Sequence, residues 1–318
     1  MNITTLLLLL LASFAVPWLV SFVVEALKPA PKAPETMPWD TSLKPAYVMV
    51  DGVNIRYLKT GQGPTLVLLH TLRTQLDLFH KIIPELSKDF TVYAPDYPGH
   101  GFSDIVDDAY DADFFVKNVE GFLNVLDLKD VTLSGVSIGA TISLLIAARR
   151  NPRVTRIIPI NPYDYFQGKG LARSSDLGRF IVAVSGIPFI GETVVRLRNF
   201  IIMKAVLNGG VSDPASISPA LMKEMYKVGD RSGHYRAFIK LMRNSASWEQ
   251  ARLQYGNIKV PVLVIWGDED WSLVEERRSD EALIPNAQSI TLKKAGHFLP
   301  FDAPQELINH IRNFSLKS

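Results

Sequence analysis

Three short stretches of this chain carry side chains that do chemistry together. Ser137 sits in Gly135-Val136-Ser137-Ile138-Gly139, Asp270 closes Gly267-Asp268-Glu269-Asp270, and His297 closes Ala295-Gly296-His297. A serine hydroxyl is a poor nucleophile near neutral pH. It becomes a good one when an imidazole takes its proton and a carboxylate fixes that imidazole's tautomer and steadies its cation. The chemistry open to such a set is acyl transfer, in which the serine attacks a carbonyl, an acyl-enzyme forms and water releases the acid.

The elements around each stretch put these groups where they can meet. Ser137 follows the strand-like Val131-Thr132-Leu133 and precedes a helix-like run from Ile138 to Arg150. A sharp strand-to-helix turn thrusts the serine out of the backbone, and the flanking glycines leave room for it. The free N–H groups at the start of the helix face any oxyanion formed there. The acid stretch follows the apolar run Val262 to Trp266, and the histidine stretch follows a run from Gln288 to Leu292. Each therefore leaves the carboxyl end of a predicted strand.

From Ala46 onward strand and helix signals alternate. Val53 to Leu58 reads as a half-buried strand, Thr65 to Leu69 as a fully buried one, Gln75 to Leu86 as a helix and Phe90 to Ala94 as a strand. Phe115, Val119, Phe122, Leu123 and Leu126 recur at helix spacing and are expected in the core. The alternation breaks at Asn161 and resumes near Val260, with mostly helical text between. This predicts a mostly parallel sheet with helices on both faces and a helical lid inserted at about 162–254, over the strand ends where α/β sheets bind ligands.

With these landmarks the chain resembles the α/β-hydrolase fold superfamily, in its serine esterase or lipase-like branch, from Ala46 to the end. The order serine, acid, histidine is the order of that fold. Asp96-Tyr97-Pro98-Gly99-His100-Gly101-Phe102-Ser103-Asp104 is similar to the turn that follows its fourth strand. The resemblance implies that Ser137, Asp270 and His297 are catalytic, with Asp268 and Asp164 as competitors for the acid. It implies that the backbone N–H groups of Leu72 and Ile138 form the oxyanion hole. Relatives carry His-Gly there, whereas this chain has His70-Thr71-Leu72-Arg73, so the loop departs from the pattern. His70 and Arg73 are candidate substrate-binding residues, Arg73 for an acidic substrate; the competing expectation pairs Arg73 with an acid such as Asp77 or Asp164. Epoxide hydrolases and haloalkane dehalogenases of this fold use aspartate at the nucleophile position, so Ser137 argues against both. Ser137 supports hydrolysis of carboxylic esters without metal or organic cofactor, and the apolar text from Phe180 to Leu207, with an N-terminal anchor, points to apolar or lipid-like ones. The alternatives are carbon–carbon bond hydrolysis or haloperoxidase-like chemistry on the same triad, or a catalytically silent binding protein.

Composition narrows the remaining possibilities. The chain has 318 residues and a net charge of +2, with no basic stripe, so nucleic acid is not an expected partner. Cysteine is absent, which excludes disulfides, thiol catalysis and cysteine-ligated metals. No charged residue occurs from Ile3 to Val24, and Leu6 to Leu11 is unbroken leucine. Such a run is long enough to cross a hydrocarbon core of roughly 30 Å as a helix, so residues 1–27 are expected to be a single-pass anchor that partners the membrane. A signal peptide cleaved near Ser13-Phe14-Ala15 and a buried core helix are the competing readings. Lys28 and Lys32 follow the span, and this places the catalytic part on the cytoplasmic side, a periplasmic or extracellular placement being the alternative. Four prolines between Lys28 and Lys44 predict a stiff spacer over 28–45 ahead of the domain at 46–318.

Overall fold

The structure is a computed structural model that describes residues 2–316, with the side chains at 7–11 left aside. An eight-stranded sheet carries the molecule, in the order β1-β2-β4-β3-β5-β6-β7-β8. The strands are β1 (Pro45–Val50), β2 (Val53–Thr60), β3 (Thr65–Leu69), β4 (Thr91–Pro95), β5 (Val131–Val136), β6 (Val154–Ile160), β7 (Leu263–Gly267) and β8 (Gln288–Leu292). β2 runs antiparallel to β1 and β4, and all other pairings are parallel. The central strands are apolar on both faces because helices cover both faces. Every residue of β5 is buried.

The helices are α1 (Ile3–Ala26), α2 (Ile83–Leu86), α3 (Ala112–Val125), α4 (Ile138–Ala148), α5 (Asp176–Ser185), α6 (Ile190–Arg196), α7 (Phe200–Asn208), α8 (Pro219–Gly229), α9 (His234–Arg243), α10 (Ala246–Gln250), α11 (Val274–Leu283), α12 (Leu299–Asp302) and α13 (Pro304–Ser315). α3 buries Phe115, Val119, Phe122 and Leu123 along one face. α4 is buried on all sides, which its unbroken apolar and small-residue text requires. Helices α5 to α10 fall between β6 and β7 in the chain.

Where one helix is predicted over Gln75 to Leu86 there are two short turns, Leu76–Phe79 and α2. Pro84 has no N–H to give a carbonyl four residues back, which disfavours one continuous helix here, and it sits instead in the first turn of α2, where that N–H would be unpaired anyway. The Asp96 turn is a structural knot. Asp96 accepts from the N–H groups of Leu76 (2.8 Å) and Phe102 (3.0 Å) and lies 2.7 Å from the Arg56 guanidinium. Gly101, at φ +50°, leaves the space that Asp96 fills; a Cβ there would lie 1.9 Å from its carboxylate.

The N-terminal segment departs from the anchor-and-spacer reading. Among the described residues no helix is long and apolar enough to cross a membrane, so the single-pass anchor over 1–27 and the membrane side inferred from it are not supported. Most of the leucine run lies at 7–11, whose side chains are outside the described residues. The second half of α1 packs on the inserted helices. Glu25 takes Arg198 at 2.6 Å and the Gly233 N–H at 2.7 Å, Ser21 is fully buried, and the Arg196 guanidinium sits 3.8 Å from the Phe22 ring. The proline-rich stretch over 28–45 is no free spacer either. Lys28 reaches Asp230 at 2.5 Å, Met37 is buried, and the Trp39 indole donates to Asp77 at 2.9 Å.

Candidate active site

Ser137 caps α4 with φ +60° and ψ −117°, a backbone conformation that L-residues rarely adopt. Its N–H donates to the Ile160 carbonyl (2.9 Å), and its own carbonyl accepts from Ala140 and Thr141, which lock the turn. The flanking glycines are required by contact. A Cβ on Gly135 would meet the Gly139 carbonyl at 2.3 Å, and one on Gly139 would meet the Leu69 carbonyl oxygen at 2.4 Å.

Asp270 and His297 lie side by side. The imidazole Nδ1 is 2.5 Å from the Asp270 Oδ1, and both side chains are buried. The other carboxylate oxygen accepts from the Ser272 N–H at 2.9 Å and from its hydroxyl. Burial pushes the Asp270 carboxyl up, but the His297 charge and the hydrogen bonds from His297 and Ser272 outweigh burial and hold it below its ordinary value. Arg277 braces Ser272 from behind, at 2.8 Å from its hydroxyl and 3.0 Å from its carbonyl. With Nδ1 committed to the carboxylate, His297 Nε2 is buried and has no hydrogen-bond partner among the described residues.

The competing acids are occupied elsewhere. Asp268 accepts from the Ala295 N–H at 3.3 Å and lies 3.6 Å from Lys293. Asp164 accepts from the Tyr255 hydroxyl and faces Asp280, deep in the core.

A narrow cavity is lined by Ser137, Leu72, Arg73, Tyr163, Trp271 and Phe298, among others. Tyr163, Trp271 and Phe298 also pack on His297, with ring centroids 6.2, 3.8 and 5.4 Å away. The cavity wall and the imidazole thus share three aromatic neighbours. Among the described residues no protein acceptor takes the N–H of Leu72 or of Ile138. Ile138 opens α4, where helix geometry leaves donors free. Thr71, standing where glycine was expected, is held by Thr74, whose hydroxyl accepts its N–H (3.2 Å) and donates to its carbonyl (2.8 Å).

His70 is not at this cavity. Its Nδ1–H donates to the Thr71 carbonyl at 2.8 Å, and its Nε2 accepts the Tyr97 N–H at 3.2 Å. Burial pushes its pKa down to about 4, so the ring is neutral and serves here as a tie between two backbone segments. Arg73 does line the cavity. It is not paired with Asp77, which is bound to Arg56, Gln75 and Trp39, nor with Asp164.

Two residues at the site were missed by sequence reasoning. Trp271 stacks on His297 and donates its indole N–H to the Gly209 carbonyl at 2.8 Å. Asn161 donates to the carbonyls of Gly296 (3.0 Å) and His297 (3.1 Å) and accepts the Gly267 N–H at 2.9 Å. One side chain thereby ties the loop after β6 to both the acid and the histidine loops. Among the described residues no group of three or more carboxylates and histidines is placed to hold a metal ion.

Comparison with known proteins agrees with this architecture. A family model described as "alpha/beta hydrolase fold" matches residues 64–304. An uncharacterized hydrolase of Bacillus subtilis, YugF, is 28% identical over 272 residues, covering 83% of this chain and 95% of the relative. Epoxide hydrolase 3 of Xenopus tropicalis is 24% identical over 283 residues, covering 83% of this chain and 75% of that one. The crystal structure of wild-type Cfl2 from Burkholderia cenocepacia superposes with a TM-score of 0.78 at 23% identity, covering 89% of this chain and 99% of that one.

Proposed function

This chain belongs to the α/β-hydrolase fold family, and from that premise we propose that it is a serine hydrolase cleaving carboxylic esters with an apolar acyl group. Ser137 Oγ attacks the ester carbonyl while His297 Nε2 takes its proton. The Leu72 and Ile138 N–H groups receive the oxyanion, each such donor contributing on the order of 3 kcal/mol to the transition state. Collapse of the tetrahedral intermediate expels the alcohol, which leaves with the proton from His297. Water then attacks the acyl-enzyme, again with His297 as base, and the acid is released as Ser137 regains its proton. Asp270 holds Nδ1 throughout and balances the imidazolium.

The observation that carries this reading is the 2.5 Å Asp270–His297 contact, which leaves Nε2 as the imidazole's one uncommitted nitrogen beside the aromatic wall of the Ser137 cavity. One relative is named an epoxide hydrolase. Enzymes of that kind on this fold use a carboxylate nucleophile, and this chain has a hydroxyl at the position. The apolar lining of the cavity supports an apolar acyl group.

The test is labelling with a fluorophosphonate, which phosphonylates an activated serine. Wild-type protein is expected to carry one adduct on Ser137, located by peptide mass, and Ser137→Ala none. Wild type that stays unlabelled, or labels elsewhere, overturns the assignment.

A further inference from the structure

Arg73 is a cation with no anion. Among the described residues its guanidinium makes no hydrogen bond and no ion pair, and its Nη1 is buried without a partner. The guanidinium carbon lies over the Phe238 ring, 4.9 Å from its centre. The nearby acids are engaged. Asp230 is bound to Lys28 at 2.5 Å and lies 3.7 Å from Arg198, and Glu25 is bound to Arg198 at 2.6 Å. Burial, then the charge of Arg198, push the Arg73 pKa down to about 10, with Asp230 opposing, so it is charged at neutral pH.

Its position is specific. Arg73 lines the Ser137 cavity and also a second, apolar cavity among the inserted helices. The two share Arg73, Leu171, Val206 and Leu207. Two arginines and no carboxylate line the larger one; Arg198 is already satisfied by Glu25, and Arg73 is not. The Arg73 backbone is also held at φ +62°, in the left-handed region that glycine favours. A strained backbone presenting an uncompensated charge to an apolar cavity is costly, and a bound anion relieves the larger part of that cost.

We propose that Arg73 is the receptor for a carboxylate on the acyl half of the substrate, so that this site takes half-esters of dicarboxylic acids with an apolar chain between the two ends. The inference rests on the serine-hydrolase reading for its chemistry, and on the cavity and the unpaired guanidinium for its specificity. The acyl half stays on Ser137 between the two chemical steps and occupies the cavity that Ser137 and Arg73 share. An apolar wall suits the chain, and the guanidinium fork suits the distal carboxylate.

The experiment compares wild-type kcat/KM for the 4-nitrophenyl half-esters of adipic and pimelic acid with that for 4-nitrophenyl hexanoate and heptanoate, after subtraction of spontaneous hydrolysis. A charge-assisted pair of this kind predicts a preference for the half-esters of about tenfold or more. In Arg73→Gln the ratio is expected to fall to near one, and in Arg73→Lys to recover in part. A wild-type ratio at or below one overturns the proposal, as does a ratio unchanged in Arg73→Gln, which assigns the cation to the oxyanion or to folding instead. A second arm needs no turnover: calorimetric titration of Ser137→Ala protein with monomethyl adipate is expected to give binding that Ser137→Ala/Arg73→Gln lacks. If no ester is hydrolysed and Ser137 is unlabelled, the hydrolase reading fails, and this titration still decides whether Arg73 receives a carboxylate.

Discussion

The indole of Trp271 lies flat on the imidazole of His297, with ring centroids 3.8 Å apart and planes 11° from parallel. The same indole donates to the Gly209 carbonyl, at the turn that follows α7. The histidine is therefore fixed in two ways: Asp270 sets the direction of Nδ1, and Trp271 sets the plane of the ring. A flat neighbour also suits an imidazolium, because an aromatic face attracts a cation.

Replacing Trp271 by alanine removes the plane but not the carboxylate. Catalytic geometry is sensitive to displacements of about 1 Å, which cost roughly a hundredfold in rate. The expected outcome for Trp271→Ala is a fall of that order in kcat, with fluorophosphonate labelling of Ser137 slowed in proportion. Trp271→Phe, which keeps a flat neighbour but loses the bond to Gly209, is expected to fall in between. Stopped-flow labelling rates check both.

Much of the architecture was legible because it is written locally. The apolar run at Thr65–Leu69, the strand-like Val131 to Leu133, the glycines around Ser137 and the Asp96 turn each carry their meaning within a few residues. What was illegible depends on which distant groups meet. Nothing beside Arg73 in the sequence says that Asp77 is already claimed by Arg56 and Asp164 by Tyr255. Trp271 and Asn161 have no local signature either, since their partners lie on loops from other parts of the sheet. The N-terminal run shows the same limit. Its hydropathy is local, but the docking of Ser21 and Glu25 on the inserted helices, through Arg196 and Arg198, is not.

The backbone of Ser137, at φ +60° and ψ −117°, stores strain that a glycine would not feel. Ser137→Gly is expected to abolish hydrolysis while stabilising the fold by about 1 kcal/mol, because relief of the left-handed strain exceeds glycine's entropic penalty. In a protein of this size that corresponds to a rise in Tm of roughly 2 °C. Differential scanning calorimetry of wild type and variant makes the comparison. A variant less stable than wild type would show that the serine side chain, not its backbone, dominates the local energy.

Asp164 and Asp280 face each other in the core with Arg252 Nε 2.7 Å from Asp280. Burial, then the charge of Asp164, push the Asp280 carboxyl up to about 10, so a proton is held in the folded state that the unfolded chain releases near pH 4. The sign follows from linkage. A raised folded pKa favours the fold fully below the unfolded pKa, and that favour is lost as pH rises towards 10. Asp280→Asn removes the second ionisable group and leaves Asp164 to balance Arg252. It is expected to raise Tm at pH 8 by about 2 °C or more, with the gain shrinking towards pH 5. Thermal melts across that range test it, and a gain that is flat with pH would rule the buried proton out.

Asn161 is the polar group that gathers the site's loops. Its amide donates to the carbonyls of Gly296 and His297 and accepts from the Gly267 N–H, while its own N–H bonds Ile265 at 2.9 Å. It is fully buried and held at φ +46°, which asparagine tolerates better than most residues. Asn161→Ala strips three backbone groups of their partners at about 1–3 kcal/mol for each left buried and unpaired, so a marked loss of Tm is expected. Asn161→Asp keeps the shape and the acceptor for Gly267 but turns the donor into a second acceptor opposite two carbonyls. If Asn161 positions His297, the aspartate variant should lose kcat by more than tenfold with KM little changed, and its loss should ease at acidic pH, where a protonated carboxyl again donates. A merely structural clamp would lower Tm in both variants while the folded fraction kept wild-type kcat. Active-site titration with the fluorophosphonate counts that fraction and separates the two outcomes.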